Sequence, residues 1–423
     1  MHVAIIGNGV AGVSTALRLR ELQPSWRITL ISGESRYHYS RPALMYIFMG
    51  HMRYADTKPF EDSFWDAQRL DLVRDWVTEI DVEAKSLRLH RGEPLAYDKL
   101  LIATGSKSNK FGWQGQDLDG VQGLWGLQDL KTLYSTVERT RKAVIVGGGL
   151  IGIELAEMLH SRGVHVTFVV REKSYWDNVL PAEESDLVNR AIREAGMDLR
   201  LESELDSILD DGAGRVRGLR TKSGEEFECQ FVGLTAGVSP NVDFLRESPI
   251  ELGRGVLVDW SLRTSAPDVF AAGDCAELVT PEGERNVMQQ VWYTGKMQAQ
   301  VAAAVMAGGE ATYDPGIWFN SAKFLDLEYH TYGRVNFRVP DEENIYWEHS
   351  SGRHSARLVH VGGKLIGLQT MGVRWRHEVA EPWICAGKPL TEVIDDLAQL
   401  DFDPEFTRRH TPAIQAAFRE QVR

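Results

Sequence analysis

Two short aliphatic runs, His2–Ile6 and residues 143–146, each enter a glycine-rich turn that opens an apolar-patterned helix. The first turn reads Gly7-Asn8-Gly9-Val10-Ala11-Gly12, and the helix after it is expected over residues 13–22. The second reads Gly147-Gly148-Gly149-Leu150-Ile151-Gly152, with its helix running to about Ser161. Runs this apolar read as buried strands. Further strands are expected over residues 26–32 and 164–170. Between Leu70 and Thr104 the pattern alternates in β fashion through Val77–Asp81 and Ser86–Leu89, then closes on Ala103-Thr104-Gly105. Two more buried runs end in glycine, at Ala236-Gly237 and at Gly273-Asp274. Residues 107–125, rich in Gly, Asn and Gln, read as a crossing between domains. From Asp314 the texture becomes aromatic and β-rich, then helical. The expectation is an α/β protein with two Rossmann-like folds, residues 1–112 with 243–313 and residues 113–242. A smaller α+β domain follows over residues 314–423.

Both turns fit the dinucleotide fingerprint. The first glycine makes the tight turn, the second lets backbone approach a pyrophosphate, and the third lets helix and strand pack closely. Two matches with similar flanks point to two nucleotide sites. Near the end of the second strand Glu34 stands where such folds place an acid on a ribose hydroxyl; the alternative is a solvated loop charge. The stretch from Tyr37 to Tyr46, with Arg41-Pro42, reads either as a loop and helix against a flat ligand or as a polar connection. In the second fold Val170 takes the place of the usual acid and Arg171 follows it, which favours the 2′-phosphate of NADPH. Glu172 and the intact Gly152 pull toward NADH. Asp274 suits a ribityl hydroxyl or a phosphate-bound water, or equally a helix cap. A helix beginning near Val291-Trp292 points its positive end at the N1–O2 edge of a flavin.

Length and composition narrow the class. With 423 residues, 43% hydrophobic and 25% charged, the chain is long enough for two or three soluble domains. No apolar run is long enough to span a bilayer and no signal peptide is read, so the cytoplasm is the expected compartment. A net charge of −13 argues against nucleic acid as a partner. The three cysteines, Cys229, Cys275 and Cys385, show neither C-x-x-C nor metal-like spacing and read as small buried hydrophobes. No metal site is expected.

With both fingerprints, Ala103-Thr104-Gly105 and Gly273-Asp274 in this order, residues 1–335 resemble the two-dinucleotide-binding flavoprotein reductases. These form the pyridine nucleotide-disulfide oxidoreductase superfamily, and the resemblance is to its ferredoxin/rubredoxin-reductase branch and the related apoptosis-inducing flavoproteins. It implies FAD on the first fold, NAD(P)H on the inserted second fold, and a C-terminal domain that often mediates dimer or partner contacts. Gly7, Gly9 and Gly12 then match the FAD pyrophosphate turn, Val77 a backbone contact to adenine, and Arg41-Pro42 the Arg-Pro ahead of the isoalloxazine. Thr104-Gly105 match a strand end, Asp274 the acid on the ribityl-phosphate, and Trp292 the helix start beneath the flavin pyrimidine. On the second fold Gly147, Gly149, Gly152 and Glu154 match the nicotinamide motif, with Glu154 near the nicotinamide ribose and Ala236-Gly237 closing the site. Glu154 and Trp292 are the side chains expected nearest flavin N5, the reactive centre. Trp318-Phe319 resembles the Trp-Phe that opens the third domain.

Two departures stand out. Pro42 lies where the disulfide reductases carry redox cysteines, so thiol relay is not expected. The lysine that relatives place after Arg-Pro, close to flavin N5, is replaced by Met45 or Tyr46. Electrons are therefore expected to pass from NAD(P)H to FAD and directly on to a one-electron carrier of ferredoxin, rubredoxin or Rieske type. The alternatives are an NAD(P)H oxidase or quinone reductase, and an NAD(P)H-sensing assembly protein, in a monomer or homodimer. The cluster Arg374-Trp375-Arg376-His377 suits either a docking site for an acidic carrier or an amphipathic surface strand.

Overall fold

The computed structural model describes residues 1–281, 284–402 and 408–422. It resolves into two compact units, one of Met1–Lys110, Gly123–Glu138 and Gly237–Pro315, the other of Phe111–Gln122, Arg139–Ala236 and Gly316–Arg423.

In the first unit five parallel strands lie in the order Val269–Ala271, Lys99–Ile102, His2–Ile6, Arg27–Ile31, Leu70–Val73. Apart from the edge strand Leu70–Val73, their residues are almost all buried, as a parallel sheet covered on both faces requires. The chain leaves His2–Ile6 toward one edge of the sheet and later returns on its other side. The strand order therefore reverses beside the first glycine turn, which is where open α/β sheets form their ligand crevice. Helices Val10–Leu22 and Trp292–Met306 pack together, and Gly295 lets the second approach Val10. The alternating stretch forms a three-stranded antiparallel sheet, Val77–Asp81, Ser86–Leu89 and Leu95–Ala96. Part of the stretch read as a crossing enters secondary structure, with Ser106–Ser108 pairing Val238–Pro240.

The second unit repeats the parallel sheet in the order Asp198–Arg200, His165–Val169, Lys142–Val146, Phe231–Leu234, Val121–Gln122. Its C-terminal part is a five-stranded antiparallel sheet, in the order Phe319–Phe324, Leu327–Gly333, Lys364–Met371, Ser355–Val361, Glu342–Glu348. Period-two alternation gives this sheet two different faces. Leu358, Leu365 and Leu368 turn toward the tail helices, where they meet Val393, Leu397 and Phe418 in one apolar cluster. Arg357, on the opposite face, reaches Glu184 of helix Ala182–Glu194 with two hydrogen bonds of 2.9 and 2.8 Å, and Glu183 at 2.7 Å. Arg357 is 4% exposed and Glu184 is fully buried. The α/β class is thus the one expected, with the α+β tail part of the second unit.

Candidate cofactor sites

In the first unit each glycine of the turn is there for a different steric reason. Gly7 has φ +111°, and a Cβ on it would stand 2.1 Å from the Ala103 carbonyl oxygen. A Cβ on Gly12 would stand 2.0 Å from the Gly7 carbonyl oxygen. Around Gly9 nothing lies within 4 Å, so a ligand can approach its backbone. Helix Val10–Leu22 starts there with neither a side-chain cap nor an acid in its first turn, leaving N–H groups directed at that opening.

Glu34 and Arg41 form one half-buried network. Arg41 donates to Glu34 Oε2 at 2.6 Å and to Oε1 at 3.2 Å, and the Leu127 N–H donates to Oε1 at 3.0 Å. The Tyr39 hydroxyl also donates to Oε1, and Arg41 donates to the Trp125 carbonyl. Burial pushes the Glu34 carboxyl up, but Arg41 and the hydrogen bonds from Tyr39 and Leu127 hold it below its ordinary value. A carboxylate offers about four lone-pair sites. Three donors crowd Oε1 while Oε2 has one, so Oε2 keeps room for a hydroxyl. Pro42 sits at the start of the short helix Arg41–Ala43. Of the two residues in the lysine position, Met45 is buried in the core and Tyr46 stacks on His51 at 6.2 Å.

The strand ends complete this half. Ala103 follows Lys99–Ile102, and Gly105 turns the backbone at φ +67° after Thr104. Gly273 has φ +81° and donates its N–H to Gln298 at 2.7 Å. No helix begins at Asp274; strand Ala276–Leu278 follows it, so the capping alternative is set aside. Asp274 accepts a 3.1 Å hydrogen bond from Ser106, which in turn accepts from Gln290 at 2.9 Å. Burial raises the Asp274 carboxyl, opposed by Ser106 and Arg41. Such a carboxylate needs further donors, which a polyol chain supplies. Val77 opens its strand directly after Trp76, whose indole lies where a Cβ on Gly33 would stand, 2.1 Å away. Helix Trp292–Met306, with Val291 at the N-cap position, starts with neither a side-chain cap nor an acid in its first turn. Trp292 is 45% exposed, with Lys296 5.4 Å from its ring centre. An FAD molecule fits these residues: open backbone at Gly9, a part-satisfied acid at Glu34, and a donor-poor acid at Asp274.

The second unit repeats the cradle. Gly147 has φ +120°, and its Cβ would stand 2.7 Å from the Thr235 carbonyl oxygen. Around Gly149 nothing lies within 4 Å, and a Cβ on Gly152 would meet the Thr235 hydroxyl at 2.9 Å. Helix Leu150–His160 begins here, again uncapped and without an early acid, with Ile151 in its first turn. The Tyr175 hydroxyl donates to the Gly149 carbonyl at 2.9 Å. One turn into the helix stands Glu154, whose carboxyl is pushed up to about 7 by burial and by Glu157, with Lys323 opposing. Val170 is fully buried at the end of its strand, and the exposed Arg171 donates to Glu172 at 2.9 Å. Thr235 and Ala236 follow Phe231–Leu234, and the Thr235 hydroxyl donates to the Val146 carbonyl at 3.0 Å. Gly237, at φ +85°, begins the return segment of the first unit.

A family model described as pyridine nucleotide-disulphide oxidoreductase matches residues 1–308. The chain belongs to this family. It is 29% identical over 322 residues to a rubredoxin-NAD(+) reductase of Pseudomonas putida, covering 75% of this chain and 83% of that one. It is 30% identical over 305 residues to the ferredoxin–NAD(+) reductase component of the biphenyl dioxygenase system of Paraburkholderia xenovorans, covering 72% and 74%. A ferredoxin reductase structure from Rhodopseudomonas palustris superposes with a TM-score of 0.80 at 25% identity, covering 88% of this chain and 91% of that one. As a member of this family the chain is an FAD-dependent NAD(P)H oxidoreductase.

Some features of this oxidoreductase depart from expectation or carry no sequence signal. The Arg374 cluster is spent inside the tail domain. Arg374 makes a bidentate pair with Glu328, Trp375 is 3% exposed, and Arg376 donates to the Gln399 carbonyl. His377 stacks against Tyr332 at 5.4 Å. These pairings favour the amphipathic surface strand over the carrier-docking reading. Cys229 and Cys275 are buried as expected, but Cys385 is exposed at the end of helix His377–Cys385. Leu127 and Trp125, which hold Glu34 and Arg41 through backbone atoms, carried no side-chain signal to find. Among the described residues no group of acids, histidines and cysteines could hold a metal, and no helix is long and apolar enough to cross a membrane.

Proposed function

We propose that this oxidoreductase takes reducing equivalents from NADPH and delivers them singly to a small iron–sulfur or rubredoxin-type carrier protein. When bound, the two cofactors supply the redox chemistry, a hydride passing from nicotinamide to flavin and electrons leaving the flavin one at a time. The chain's own residues bind and orient them. Gly9 and Gly149 leave helix N-termini open to the two pyrophosphates. Glu34 accepts a ribose hydroxyl on the lone pair that Arg41 and Tyr39 leave available. Asp274 accepts from the ribityl chain while Ser106 holds it in place. The uncapped start of Trp292–Met306 stabilises negative charge on the pyrimidine edge. Arg171, extending from a strand that ends in buried Val170, reads the 2′-phosphate, and Glu154 orients the nicotinamide ribose.

The observation that carries the direct, carrier-linked reading is the state of the thiols. Pro42 occupies the place of a redox cysteine, and burial pushes the Cys229 thiol up to about 12 and raises Cys275 as well. Neither forms a thiolate near neutral pH, so no dithiol is available to collect the electrons. Relatives named as rubredoxin and ferredoxin reductases support the same acceptor class. The test is reoxidation of the reduced protein by a rubredoxin, a [2Fe–2S] ferredoxin and dioxygen in parallel. Fast transfer to either carrier with slow oxygen consumption is expected. Oxygen outpacing both carriers would replace this reading with that of an oxidase.

A further inference from the structure

We propose that Lys323, on the first strand of the C-terminal sheet, is a positioning residue for the nicotinamide site, acting together with its ion-pair partner Glu157 on the ionisation of Glu154. The proposal rests on the reading of Glu154 as the group that orients the nicotinamide ribose.

Helix Leu150–His160 leaves the second glycine turn carrying Glu154 and Glu157 three residues apart, and therefore on one face. Strand Phe319–Phe324 passes over that face, and Lys323 Nζ lies 2.9 Å from Glu157 Oε1. The Glu157 side chain is 15% exposed and that of Lys323 is 33% exposed, so water screens the pair only in part. Lys323 is held in register by its neighbour. Phe324 is fully buried and packs on Trp176 at 5.4 Å and Tyr175 at 6.5 Å. The Tyr175 hydroxyl, committed to the Gly149 carbonyl, is within electrostatic reach of Glu154. Two charges therefore face Glu154, Glu157 from its own helix and Lys323 from the sheet, together with the neutral Tyr175 hydroxyl from the loop.

The signs of the two charges decide the consequence. Burial first and Glu157 second raise the Glu154 carboxyl to about 7, and Lys323 opposes them. A C-terminal strand thereby sets how much of Glu154 is carboxylate, able to accept from a ribose hydroxyl, at working pH. This gives the tail domain a role at the nucleotide fold apart from contact with a partner protein.

The experiment is the dissociation constant of NADP+ for the FAD-loaded protein, measured by titration calorimetry from pH 5.5 to 9. Lys323→Met is expected to move the Glu154 inflection upward by on the order of half a pH unit. Glu157→Gln should move it downward, and Lys323→Arg should restore the parent profile. Glu154→Gln removes this inflection and leaves only the titration of the nucleotide's own 2′-phosphate. An unshifted inflection in Lys323→Met, with Glu154→Gln behaving as stated, overturns the role of Lys323 and leaves Glu154 in place. A profile that Glu154→Gln does not change overturns the reading of Glu154 beneath it.

Discussion

At the scale of single residues, the positions that could be read from the sequence are those fixed by steric exclusion. Gly7, Gly12 and Gly147 have carbonyl oxygens where a Cβ would stand, so the residue type announces the geometry. Glu34 was expected to face a ribose, but its hold by Arg41, Tyr39 and a backbone N–H from residue 127 had no sequence signal, because that hold exists only in the folded chain. Glu154 is a similar case, since its carboxyl rises to about 7 through burial and through Glu157. The linkage has a definite sign. Below the ordinary carboxylate range Glu154 is protonated in both states and costs nothing. As pH rises toward 7 the unfolded chain releases the proton first, and the folded state loses stability. Glu154→Gln should therefore match the parent at pH 4.5 and exceed it by about 2 kcal/mol at pH 8, measured by urea unfolding. At the end of the neighbouring strand, Arg171→Glu should turn the proposed NADPH preference toward NADH by about tenfold or more, seen in the ratio of kcat/KM values. An unchanged ratio would remove Arg171 from 2′-phosphate recognition.

At the scale of elements, aliphatic runs ending in glycine were sufficient to predict the central strands of both parallel sheets, because buried strands leave a continuous apolar signature. The antiparallel tail sheet was readable as β but not in its partners. On the face away from the tail helices Arg357 meets Glu184 across 173 residues of sequence. The Arg374 cluster looked like a surface charge patch because Glu328, the acid that neutralises Arg374, lies on another strand. The buried Arg357 guanidinium ties the tail sheet to helix Ala182–Glu194, so removing it strands the Glu184 carboxylate without compensation. Arg357→Met should lower stability by about 3 kcal/mol or more. Arg357→Met combined with Glu184→Met should recover most of that loss, both read from unfolding midpoints. Equal losses in the single and double variants would show that packing, not the charge pair, holds this seam.

At the scale of the whole molecule, two glycine cradles, three uncapped helix starts and no usable dithiol describe a chain that binds two nucleotides and sends electrons out through the flavin. Its architecture was legible in the sequence because the two fingerprints repeat in order. The assignment of residues 123–138 to the first unit was not, since no motif marks that segment. The net charge of −13 adds a solution property. Encounter with an acidic carrier should quicken as salt screens the repulsion. The central claim is tested most directly by anaerobic stopped-flow reduction of the FAD-loaded protein with NADPH and then NADH, followed at the oxidised-flavin absorbance. Rapid bleaching by NADPH and markedly slower bleaching by NADH is the predicted result. Slow bleaching by both, with a long-lived charge-transfer band, would contradict it and leave an NAD(P)H-sensing flavoprotein in place of a reductase.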